Sequence, residues 1–253
     1  MQHIYLIRHG QASFGAENYD KLSDLGKRQA GVIGEYFARQ EIVIDRIIHG
    51  QMSRQQETAE IIARNAGFNK NLILHKGANE FDSENLIKYY LPKLANQSKK
   101  LNDIIHSDEN WWASGDNFEL FFRALVNMWQ ADQNCPFEPW DDFKKRCLNC
   151  LTDIAQMKEP STKKHGATLL ATSGGLISVI IQSILASENE TFNYRAFMDM
   201  NLSINNTSIS EVVWQKNQSI GNETMLKNRN RLMSFNNITP LLLAKTPELI
   251  TRK

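Results

Sequence analysis

A chain of 253 residues with 42% hydrophobic and 23% charged side chains can bury a large core, as one α/β domain or two small ones. Its 29 basic and 28 acidic residues leave a net charge of +1, which excludes a basic footprint for nucleic acid or a membrane surface. Anion binding must then come from a local cluster, and no apolar stretch approaches the roughly 20 residues that span a bilayer.

The apolar run Gln2–Ile7 reads as a first strand, closed by Arg8-His9-Gly10. Ser23 has the character of an N-cap for a helix to about Arg39, with Leu25, Ala30, Ile33 and Phe37 near one face. Ile44–His49 reads as a second strand, followed by a helix from about Arg54 to Asn65 and a short strand at Leu72–His75. From about 85 to 157 the strand signal disappears, and aromatics, amides and charges recur at helical spacing. The helices expected there are Leu86–Leu94, Asp116–Ala131 and Trp140–Met157, with connections at Asn96–Lys100 and Asp132–Pro139. Strand character resumes at Thr168–Ser173, Gly174-Gly175 opens a helix through about Leu185, and Ser208–Trp214 and Asn228–Phe235 read as further strands. The alternation predicts a mostly parallel sheet covered on both faces. With no repeats and no biased linker, residues 1–253 read as one domain with a helical insertion at about 85–157.

Three cysteines, Cys135, Cys147 and Cys150, form an odd set in a chain too large to need disulfides. Cys147 and Cys150 make a C-x-x-C, but they fall in the amphipathic pattern of Trp140–Ile154, and one pair cannot supply four zinc ligands. Their reading is structural. The N-terminus shows no basic, apolar or cleavage region of a secretory leader, so the cytoplasm is the expected compartment.

The chemistry concentrates at Arg8-His9-Gly10. Strand carboxyl ends are where open α/β sheets bind ligands. A neutral imidazole can act as a nucleophile near pH 7, and a guanidinium can hold a phosphate on two oxygens. Singly, His9 reads as an ordinary strand-end histidine, Arg8 as an ion-paired surface residue and Arg54 as part of a solvated helix face beside Glu57. Jointly, at two strand ends of one sheet, they point to an anion site.

Leu6-Ile7-Arg8-His9-Gly10-Gln11-Ala12-Ser13 resembles the signature of the histidine phosphatase superfamily, the phosphoglycerate mutase-like fold. The match continues through Leu22-Ser-Asp-Leu-Gly26-Lys-Arg-Gln29-Ala30 and Ser53-Arg54-Gln-Gln-Glu57-Thr58-Ala59-Glu60, and more weakly through Asn205-Asn206-Thr207-Ser208-Ile209 and Pro247-Glu248-Leu249. The resemblance implies a three-layer α/β/α sandwich with a mixed, mainly parallel sheet and an inserted helical cap. It implies His9 as the nucleophile forming a phosphohistidine, with Arg8 and Arg54 clamping the phosphoryl oxygens. Gly10 would permit close backbone approach, and Ser13 would donate one more hydrogen bond. The proton donor to the leaving group falls in Ala78-Asn79-Glu80-Phe81-Asp82-Ser83-Glu84: Glu80 by its Glu-aromatic-Asp order, with Asp82 and Glu84 as competitors.

One position departs from the family. Where a second histidine is expected before paired glycines, the chain reads Ala171-Thr172-Ser173-Gly174-Gly175. Ser173 offers a hydroxyl without charge, and the Gly174-Gly175 backbone offers N–H groups to an anion. His165, upstream of that strand, reads as a solvated loop residue. Three functions follow: a phosphatase acting on a small phosphomonoester, with turnover reduced by Ser173; a non-catalytic relative that binds a phosphorylated ligand or a protein partner; and, ranked last, a phosphoglycerate mutase. The expected ligand is a small phosphorylated substrate or inorganic phosphate, with no metal and no organic cofactor; the oligomeric state is left open. In the insertion, Trp111, Trp112, Phe118, Phe121, Phe122 and Trp129 read as that segment's own core, with a pocket rim or an oligomer interface as alternatives.

Overall fold

A computed structural model describes residues 1–13, 20–107, 114–157, 166–186, 193–215 and 230–252. The chain divides into two compact units, one formed by 1–79 with 147–253 and the other by 80–146.

In the first unit, β1 (Gln2–Arg8), β2 (Ile44–His49), β3 (Ile73–Leu74), β4 (Ala167–Thr172), β5 (Ile209–Trp214) and β6 (Arg231–Asn237) form one sheet in the order β3-β2-β4-β1-β5-β6. The first four run parallel, whereas β5 is antiparallel to β1 and β6 to β5. The sheet is therefore mixed. β4 is buried along its whole length and lies between β2 and β1, as expected of a parallel strand covered on both faces. Arg8 pairs with Thr172 and His49 with Ala171, so the carboxyl ends of β2, β4 and β1 lie side by side.

Helices α1 (Asp24–Arg39) and α2 (Ser53–Asn65) cover one face. Ile7, Ile47, Leu169 and Ala171 from the sheet pack there against Ala30, Ile33, Phe37, Ala59 and Ile62. The cap of α1 is as expected: Ser23 Oγ accepts from Gly26 N at 3.0 Å.

In the second unit, α3 (Ser83–Gln97), α4 (Lys99–Ile105) and α5 (Gly115–Ala131) precede α6 (Trp140–Gln156), whose first residues belong to that unit and whose remainder belongs to the first. An aromatic core holds the unit: Phe81 lies 5.0 Å from Trp129 and 5.5 Å from Phe143 between ring centroids, and Trp129 lies 4.9 Å from Trp140. Phe121 and Trp129 are fully buried and Phe122 nearly so, while Phe118 stacks on Phe122. Trp111, Trp112 and His165 lie outside the described residues, as does the start of the strand expected at Asn228.

Three elements differ from expectation. Residues 99–105, read as partly connection, are helical because Ser98 Oγ caps Leu101 N. Helix α7 (Gly174–Leu185) follows β4 as predicted, but α8 (Tyr194–Ser203), capped by Asn193, and the five-residue α9 (Thr239–Leu243) were not foreseen. Each is too short for apolar periodicity to reveal it.

Candidate active site

His9 leaves β1 directly after Arg8, and its backbone N–H donates to Thr172 O at 2.8 Å, which ties the turn to the end of β4. The ring is held by two contacts of opposite kind. Nδ1 lies 2.8 Å from Gly10 O, and Nε2 lies 3.2 Å from the Nε of Arg54. A carbonyl only accepts and a guanidinium only donates, so the proton sits on Nδ1 and the lone pair on Nε2. Burial pushes the His9 pKa well below 6.5, and the charges of Arg54 and Arg8 push it further down. The imidazole is neutral, with its nucleophilic nitrogen beside a cation.

Gly10 is required here, although for a reason other than ligand approach. Its N–H donates to Thr58 Oγ1 at 3.0 Å, and a Cβ would stand 2.5 Å from Gly26 O. The close approach that glycine permits is to the first turn of α1. Gly26 is constrained reciprocally, against the Gln11 backbone.

Arg54, in the first turn of α2, bonds through Nη1 to Asp20 Oδ1 at 2.7 Å; the other oxygen of Asp20 accepts from Ser53 N at 2.7 Å. Asp20 therefore caps α2 and orients the guanidinium that faces His9. No sequence signal separates Asp20 from any loop carboxylate, and sequence reasoning missed it. Arg8 is anchored differently: Nη1 donates to Ile204 O and, at 2.9 Å, to Arg252 O. Asn206 Nδ2 donates to His9 O at 3.2 Å, and Asn206 N to Thr251 O at 2.8 Å. Thr207 N donates to Arg8 O at 3.0 Å from a backbone with φ +53°, a left-handed conformation that a β-branched residue rarely takes.

Ser173 follows β4 as His9 follows β1, and the Arg8–Thr172 register sets them on adjacent strands. Its Oγ accepts from Gln55 Nε2 at 2.8 Å, and both residues are essentially fully buried. Gln55 also donates to Ala78 O at 3.2 Å, which receives Thr172 Oγ1 at 2.6 Å. Gln55 was not singled out from the sequence. The signal was present: it begins the buried stripe Gln55, Thr58, Ala59, Ile62 of α2, where an amide calls for a partner.

Each of the other expected residues has its own local setting. Gly174 opens α7, packed so that a Cβ would strike Asn201 Oδ1. Ser13 is held by its backbone N–H on Lys21 O at 2.8 Å, and its hydroxyl makes no hydrogen bond among the described residues. Of the acids, Asp82 caps α3 through Asn85 N at 3.1 Å, and Glu84 pairs with Lys88 on the surface at 2.6 Å. Glu80 belongs to the second unit, where its Oε1 accepts from Phe81 N at 3.1 Å. Cys135, Cys147 and Cys150 are buried and form no disulfide, and the described residues hold no cluster of metal-ligating side chains. Among them, no helix is long and apolar enough to cross a membrane.

A model of the histidine phosphatase superfamily (branch 1) matches residues 4–121. Probable phosphoglycerate mutase GpmB of Cronobacter sakazakii is 26% identical over 225 residues, covering 85% of this chain and 86% of that protein. Among solved structures, a phosphoglycerate mutase from Bacillus anthracis aligns over 97% of each chain with TM-score 0.61 at 16% identity. A mycobacterial glucosyl-3-phosphoglycerate phosphatase in complex with inorganic phosphate aligns over 93% of this chain and 97% of its own, with TM-score 0.58 at 17% identity. The family model spans the R-H-G turn and the α2 arginine, and the solved structures share the fold: over residues 4–121 the chain is similar to the histidine phosphatase superfamily (branch 1).

Proposed function

We propose that this protein is a phosphatase of the histidine phosphatase type, hydrolysing a small phosphomonoester through a phosphohistidine on His9. The observation that carries the reading is the state of the ring: neutral, protonated on Nδ1, with Nε2 directed at Arg54. In-line attack by Nε2 on phosphorus forms the N–P bond and breaks the ester P–O bond, and Gly10 O stabilises the Nδ1–H as positive charge develops on the ring. Arg54 and Arg8 supply cationic charge for the phosphoryl oxygens, Ser173 and Gly174 further donors, and Ser13 a peripheral hydroxyl. Water then attacks the phosphohistidine, breaking the N–P bond, releasing inorganic phosphate and returning the lone pair to Nε2.

Glu80 is the proposed proton donor to the leaving alkoxide and the base for that water. What supports it is the family resemblance of its segment, together with the structural employment of Asp82 and Glu84. The solved relative that carries inorganic phosphate supports a small phosphorylated ligand. The relative named a probable phosphoglycerate mutase keeps a mutase as the second reading; that enzyme would move phosphate between glycerate positions without releasing it. A third, non-catalytic binding of a phosphorylated ligand is favoured by one feature, the uncharged Ser173.

Hydrolysis of p-nitrophenyl phosphate by wild type and His9→Ala tests the proposal. Loss of turnover in the variant, with acid-labile phosphate trapped on wild type, is the expected result. Equal rates across pH 5–8 from folded proteins would overturn it.

A further inference from the structure

The hydroxyl of Ser173 has a fixed polarity, and Gln55 fixes it. Ala78 O already receives Thr172 Oγ1, and the Gln55 amide faces the same carbonyl at 3.2 Å. Only the NH₂ end can face a carbonyl; turning the amide over would set two acceptors against each other. That same NH₂ end reaches Ser173 Oγ at 2.8 Å, so the hydroxyl accepts there and its own proton must point elsewhere. Among the described residues nothing accepts that proton, although Ser173 is only 1% exposed. A buried hydroxyl in this state is incomplete without a ligand oxygen.

We propose that Gln55 is a positioning residue: by occupying one lone pair of Ser173 it turns the Ser173 O–H away from α2 and toward a phosphoryl oxygen next to His9. This deepens the reading of the site given above and rests on it. Ser173 directly follows Thr172, and His9 directly follows Arg8, its register partner on the neighbouring strand about 4.8 Å away, so the two residues leave adjacent strand ends. Ser173 alone would rotate its proton among several directions. With Gln55 on one of the two lone pairs, the proton is excluded from that direction and has fewer left to it, and a donor that need reorganise less is worth more in the transition state than a freely turning one.

Binding of orthovanadate, a pentacoordinate phosphoryl mimic, tests this by calorimetry on wild type, Ser173→Ala, Gln55→Leu and the double variant, with His9→Ala as reference. Gln55→Leu keeps the volume of the side chain, and circular dichroism verifies each fold. Each single change is expected to weaken vanadate about tenfold, and the double change about tenfold as well, because Gln55 acts only through the Ser173 oxygen. Gln55→Glu, whose carboxylate draws the Ser173 proton to itself, should weaken binding more than Gln55→Leu. Losses that multiply to about a hundredfold, or a Gln55→Leu effect undiminished without the Ser173 hydroxyl, would overturn the inference while leaving the site intact. Vanadate binding unaffected by His9→Ala, or absent from wild type, would instead bring down the reading of the site and the inference with it.

Discussion

Asp20 and Arg54 form a 2.7 Å ion pair in which the guanidinium is largely buried and the carboxylate partly exposed, so a permanent anion stands next to the cation that faces His9. A phosphoryl group at the proposed site would meet Arg54 against the field of Asp20. Asp20→Asn removes that charge and is expected to tighten inorganic phosphate about five- to tenfold. It also weakens the bond to Ser53 N, lowering stability by about 1 kcal/mol. Titration calorimetry and urea unfolding on the same protein separate the two effects; weaker phosphate binding would contradict the argument.

The buried imidazole makes stability depend on pH. In the folded chain the His9 pKa lies well below 6.5, whereas unfolding restores the ordinary value. Above pH 6.5 both states are neutral and His9 contributes no slope. Below it the unfolded chain takes up a proton that the folded one refuses, so the unfolding free energy falls with pH by up to ~1.4 kcal/mol per unit until the folded pKa is reached. Urea unfolding of wild type and His9→Asn between pH 4.5 and 8 should show the wild type losing stability more steeply on the acid side, with parallel curves above neutrality.

The assignment of Glu80 makes the variant's defect depend on the leaving group. p-Nitrophenolate departs without a proton, whereas an alkoxide does not. Glu80→Gln should therefore retain the initial burst of p-nitrophenol while phosphorylation of His9 by an alkyl phosphomonoester slows about 10²–10³-fold. Equal loss on both substrates would remove Glu80 from the role of acid.

The Gly10–Gly26 contact predicts a purely structural defect. A methyl group at either position drives into backbone that cannot move without separating β1 from α1. Gly10→Ala and Gly26→Ala should each cost about 3 kcal/mol or more in urea unfolding, and combining them should cost less than the sum because the two sites share one contact.

These cases also mark what the sequence could carry. Elements with strong periodicity or caps are close to their expected bounds: β2 ends at His49, α1 starts after Ser23, and α7 opens at Gly174. Arg8, His9 and Arg54 were flagged by their joint placement at two strand ends, and Ser173 because it stands where the resembled family carries a second histidine. What escaped notice depends on partners far away in sequence. Asp20 acquires meaning only when Arg54 is folded onto it, and Gln55 only when β4 brings Ser173 alongside. That the sheet is mixed was expected, but that β5 and β6 are its antiparallel strands was not legible, because an apolar strand reads the same in either direction.

Arg8 is held by Arg252 O, and the tail is laced beside it: Gln29 Nε2 donates to Leu249 O at 2.8 Å and Thr251 Oγ1 to Asn206 Oδ1 at 2.9 Å. His9 and Arg8 thus leave the ribosome some 240 residues ahead of the carbonyl that clasps the Arg8 cation. Until that segment docks, Arg8 lacks one of its carbonyl acceptors. A nascent chain stalled short of it would carry His9 beside a less firmly oriented cation.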